Sequence, residues 1–105
     1  MDLKAVRKGQ SLTVALSGEL DHHSAAIIRE EIDAILTDSR IKDLILDMKS
    51  VTFMDSSGLG VILGRYRIMA RRGGAVKLKN VSASVDRVLK MAGVYALVKR
   101  VGTGA

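Results

Sequence analysis

The apolar run Leu44-Ile45-Leu46, with Met48 close behind, lies between charged neighbours and directly after a segment of helical periodicity. That order constrains the fold more than any other feature. A strand reached through a helix calls for a crossover connection and so for a parallel neighbour. A short continuous apolar run also reads as a strand covered on both faces. The helix before it is marked from Ser24 to Thr37 by Ile28, Ile32, Ile35 and Leu36, with Arg29, Glu30, Glu31 and Asp33 mostly on other faces, and Asp21 or Ser24 can cap its start.

The remaining punctuation completes a consistent pattern. Leu12, Val14 and Leu16 alternate with polar or small residues, and Lys8-Gly9-Gln10-Ser11 turns back toward an earlier strand from Leu3 to Arg7, so a hairpin opens the chain. A second helix starts at Ser56 or Ser57 and ends near Arg72 before Gly73-Gly74, with Arg71 and Arg72 complementing its dipole. Ala75 to Lys79 follows as a strand, Ser82 caps a third helix that stops at Gly93, and Tyr95 to Val101 reads as one more short strand. Strands alternating with helices after a hairpin define an α/β fold with a mixed sheet. One domain over residues 1–101 is expected, with 102–105 fraying as a tail.

Apolar residues make up 48% and charged residues 27% of the 105, values of a globular chain, and with only two tyrosines and one phenylalanine the core must be aliphatic. No apolar run approaches the ~18 residues of a membrane span, the start has no signal-peptide pattern, and there is no cysteine, so cytoplasmic residence is expected without a membrane partner. The net charge of +6 invites a nucleic-acid reading. Its cations are scattered, however, except for Arg65, Arg67, Arg71 and Arg72, and aromatic stacking platforms are missing. Solvated faces with an affinity for acidic partners are the preferred reading, and direct nucleic-acid binding is the weaker alternative.

Chemistry concentrates between Phe53 and Met69. Asp55-Ser56-Ser57 opens a helix, where free N–H groups and the positive dipole end accommodate a phosphate on Ser56 or Ser57. Gly58-Leu59-Gly60 with Gly64 lacks the lysine and Ser/Thr of a nucleotide-binding loop, so any phosphoryl donor is held by another protein and these glycines serve close packing. With Leu59, Ile62, Leu63, Tyr66, Met69 and Ala70 turned inward, Ser57, Gly60, Val61, Gly64 and Ile68 form an outward strip without large polar side chains, a surface for another protein. A second segment, Gly18 to His23, ends a strand on the same rim and brings Glu19, Asp21 and His22 beside Ser56. A hydrolase with Ser56 as nucleophile and His22 or His23 as base lacks the flanking glycines and a third member, and two adjacent histidines alone do not make a metal site. Neither a metal nor a cofactor is expected.

Phe53-Met54-Asp55-Ser56-Ser57-Gly58-Leu59-Gly60, together with Gly18-Glu19-Leu20-Asp21-His22-His23, resembles the STAS-domain family of anti-sigma-factor antagonists over almost the whole chain. The resemblance implies a STAS-like sheet with alternating helices and a regulatory, non-enzymatic role. It implies that Ser56 is the phosphorylated residue, with Asp55 setting its context, and that the kinase is the ATP-binding anti-sigma factor itself. Glu19, Asp21, His22, Asp55, Ser57, Gly58, Gly60, Val61 and Gly64 are the expected partner-binding residues. A metal-dependent PP2C-type phosphatase would reset the switch, and the controlled sigma factor would serve sporulation as sigma F, the stress-response branch being the alternative. Members of this family usually carry a further C-terminal helix, whereas Gly102 to Ala105 reads as a frayed end.

Overall fold

The computed structural model describes residues 1–102; Thr103 to Ala105, most of the expected tail, lie outside the described residues. The elements run β1 (Asp2–Lys8), β2 (Ser11–Leu20), α1 (His22–Ile35), β3 (Asp43–Met54), α2 (Ser56–Arg71), β4 (Ala75–Lys79), α3 (Ala83–Met91), a 3-10 turn (Val94–Ala96) and β5 (Lys99–Arg100). The sheet is mixed, in the order β1-β2-β3-β4-β5, with β1 antiparallel to β2 and every later pair parallel.

That sequential order has a steric consequence. Crossovers of one hand that step steadily in one direction across a sheet lay their helices on the same face. Leu12, Val14 and Leu16 of β2, Leu44, Leu46 and Met48 of β3, and Val76 and Leu78 of β4 are accordingly buried in one aliphatic cluster with residues of all three helices. Thr13, Ala15, Ile45 and Lys77, on the opposite face, remain partly exposed. The expectation that Leu44-Ile45-Leu46 is covered on both sides is therefore corrected: the run alternates like its neighbours, and helices cover only one face.

Other boundaries differ for local reasons. β2 and β3 extend to Leu20 and Met54, and register shifts between Ala15 and Ser17 and between Gly18 and Glu19 interrupt the alternation that marks their first halves. Gly18 takes φ +105° within this irregular stretch, a conformation that favours glycine. Tyr95 does not enter a strand. Its hydroxyl donates to Asp86 of α3 at 2.5 Å, so the chain makes a 3-10 turn after Gly93 and the final strand begins only at Lys99. Arg72, expected to complement the dipole of its own helix, donates instead to the carbonyls of Leu36, Asp38 and Ile41 and so holds the end of α1.

Candidate functional site

Leu20 and Met54 are register partners at the ends of two adjacent parallel strands. Each is followed by an aspartate that caps the next helix, so the N-termini of α1 and α2 open side by side on one rim. Asp21 accepts from the N–H groups of His23 and Ser24 at 3.0 Å each, while the Ser24 hydroxyl accepts from the Asp21 N–H at 3.1 Å, a reciprocal capping box. Ser24 thus serves the cap without starting the helix. These backbone donors, above all that of Ser24, hold the Asp21 carboxyl below its usual range. Asp55 caps α2 without the reciprocal bond, accepting from Ser57 N–H at 2.8 Å and Gly58 N–H at 3.4 Å. Both acidic residues are occupied in holding the rim's geometry.

The two serines differ. Ser56 is exposed at the first position of α2, whereas Ser57 is half-buried and lines a groove of about 340 Å³ between α1 and α2 with His22, Ala25, Ala26, Arg29, Gly60 and Val61. Glu19 is exposed beside Phe53, its register partner. His22 faces the groove and His23 a separate hollow shared with Glu19 and Ile27. The rim therefore brings Asp21, His22, Asp55, Ser56 and Ser57 together, with Glu19 at its edge.

The outward strip on α2 needs correction at Val61, and the expected partner-binding set also at Gly58. Val61 is only 4% exposed, because it lies on the flank of α2 that faces α1. Gly58 is buried too: a β-carbon there would sit 2.7 Å from Met54 Cγ and 2.8 Å from the Leu20 carbonyl oxygen. Gly58 therefore presents no surface to a partner, and Val61 only a narrow edge along the groove between the helices. Gly60 and Gly64 behave oppositely, since a β-carbon on either would meet nothing within 4 Å. Close packing explains Gly58 and leaves the other two unexplained by the fold. The inward stripe is likewise rotated: Ile62 and Met69 are fully buried, Leu59, Leu63 and Tyr66 half-buried, and Ala70 exposed.

Arg65, read from the sequence as one of an arginine cluster, is 5% exposed, and its Nε lies 2.9 Å from Asp33 of α1. The approach is too bent for a hydrogen bond, so Nε, Nη1 and the facing Asp33 oxygen have no hydrogen-bond partner among the described residues. Burial lowers the Arg65 pKa from its ordinary value, Asp33 opposes that shift, and nearby Arg29 adds to it. With Arg72 engaged at the end of α1, only Arg67 and Arg71 of that cluster are exposed, which removes the contiguous basic patch a nucleic-acid backbone requires. Sequence reasoning missed Arg29 as a groove residue. Its signal was present in Ala25, Ala26 and Arg29, which share a helical face at spacings of three and four.

A STAS domain matches residues 2–103, and the chain belongs to that family. It is similar to the anti-sigma F factor antagonist of Paenibacillus polymyxa, 41% identical over 83% of this chain and 74% of that protein. To the anti-sigma-B factor antagonist of Bacillus subtilis (strain 168) it is 32% identical over 83% of this chain and 78% of the relative. The solved structure of the anti-sigma factor antagonist SpoIIAA in its unphosphorylated form superposes with a TM-score of 0.83 at 28% identity, covering 96% of this chain and 89% of that one. The Bacillus SpoIIAA in its phosphorylated form gives 0.76 at 27% identity over 96% and 92%. These relatives are regulators by name rather than enzymes. Among the described residues no helix is long and apolar enough to cross a membrane.

Proposed function

We propose that this protein is an anti-sigma-factor antagonist whose unphosphorylated form binds an ATP-dependent kinase anti-sigma factor and so releases a sigma factor, and that phosphorylation of Ser56 ends the binding. The observation that carries this reading is the unequal exposure of the paired serines. A kinase must reach the acceptor hydroxyl, and Ser56 is open at the rim where Ser57 is half-buried in the groove. Gly60 and Gly64 support docking on the same helix: each costs about 1 kcal/mol in a helix interior, and among the described residues nothing fills the space beside them. Close approach of a partner accounts for both. The higher identity to a sigma F antagonist than to a sigma-B antagonist favours the sporulation branch, and a PP2C-type phosphatase completes the cycle in this reading.

The test is incubation with the anti-sigma F factor of Paenibacillus polymyxa, magnesium and ATP, followed by peptide mapping in a mass spectrometer. One phosphate on Ser56, absent from Ser56→Ala, is expected. A phosphate on Ser57 alone, or none with a kinase that does phosphorylate its own antagonist, would overturn the assignment.

A further inference from the structure

The groove between α1 and α2 carries an unbalanced positive charge. Arg29 lines it, and no carboxylate is among its lining residues. Arg29 makes no ion pair among the described residues. Asp33, one turn further along α1, pairs instead with the buried Arg65, two of whose guanidinium nitrogens have no hydrogen-bond partner among the described residues. Arg29 and Arg65 are close enough to repel, and of the two only Arg65 has a carboxylate partner among the described residues. The walls are otherwise small and apolar, Ala25 and Ala26 against Gly60 and Val61, with open space where a Gly60 side chain would be. A slender segment can enter such a groove, and the charge it must bring is negative.

We infer that the α1–α2 groove is the subsite that receives a carboxylate side chain of the anti-sigma partner, with Arg29 as the residue that recognises it. This inference rests on the functional reading above. It adds an element that the rim and the Ser56 switch do not contain, a charge-specific contact on α1 about two helical turns from the capping box. Arg29 is exposed before binding, so the contact costs little in the free protein and forms its full strength only as the partner excludes water from the groove.

The experiment measures the dissociation constant for the anti-sigma F factor of Paenibacillus polymyxa by calorimetry, comparing the wild type with Arg29→Ala, Arg29→Glu and the control Arg71→Ala. Arg71 is exposed and lies outside the groove. Arg29→Ala is expected to weaken binding at least tenfold and Arg29→Glu at least a hundredfold, with Arg71→Ala within twofold and thermal midpoints unchanged. Acid-to-lysine variants of the partner are then tested against Arg29→Glu, and one of them should restore binding at least tenfold. Equal binding by wild type and Arg29→Glu, or a loss that no partner variant restores, overturns the inference while leaving the functional reading in place. A wild-type protein that does not bind at all overturns the functional reading, and the inference with it.

Discussion

Leu20 and Met54 stand side by side on the last rung of the β2–β3 ladder, and the Leu20 carbonyl accepts the N–H of Asp55 at 3.4 Å. Gly58 fits beneath this pair because it has no side chain. Gly58→Ala should therefore destabilise the fold by about 1–3 kcal/mol, since the Leu20 oxygen is backbone and cannot move aside. Gly60→Ala should do the reverse and stabilise by about 0.5–1 kcal/mol, because its β-carbon enters open space. Urea denaturation of both variants reads the two signs directly.

Val61 distinguishes a docking surface from a packed one. Val61→Lys should lower stability by about 2 kcal/mol, because a lysine would be forced into a 4% exposed position against α1. A variant as stable as the wild type would return Val61 to the outward face.

Phosphorylation of Ser56 should act through the interface and not through the fold. A phosphate adds about −1.5 to −2 charge at neutral pH, and at the first position of α2 that charge meets the helix dipole favourably. The isolated protein should thus melt at the same temperature with or without the phosphate. Desolvating an imperfectly paired charge against the kinase costs several kcal/mol, and ~4 kcal/mol corresponds to about a thousandfold loss of affinity. Ser56→Asp should accordingly fold normally and bind poorly, checked by melting and by calorimetry on the same sample.

Stability should fall at both ends of the pH range. The Tyr95 hydroxyl and then Lys90 hold the Asp86 carboxyl below its usual value, and Arg40 and then Arg7 do the same for Asp38. A carboxyl depressed in the folded state contributes stability above its unfolded pKa, near 3.8. That contribution is lost as pH falls from there through the folded values. Tyr95 has the opposite sign: burial, and then its bond to Asp86, raise its pKa above the ordinary 10.0. Its contribution is present below pH 10 and lost as pH rises through the elevated folded value. Denaturation curves should show an acid loss in the wild type and an alkaline loss that Tyr95→Phe diminishes.

Helix and strand identity was legible in the residues up to Gly93, because each of those elements announces itself within a few positions. Asp21, Asp55 and Ser82 cap helices through hydrogen bonds to N–H groups two or three residues on. Alternation in Leu12-Val14-Leu16 and in Val76-Leu78 marks strands by their own spacing. The pairing of the two capped segments on one rim was also within reach, since both follow neighbouring parallel strands. What covers each surface was not. Helical periodicity finds one apolar stripe, but α2 is covered on two sides, by the sheet and by α1, so Val61 and Arg65 are buried at positions that a single stripe assigns to solvent. The same holds for Ile45, whose exposure depends on the sequential strand order that puts the helices on one face. Local hydrogen bonds and spacing act over a few residues and can be read from the chain. Contacts between elements depend on the order of the strands and the position of neighbouring helices, and only the assembled fold sets those.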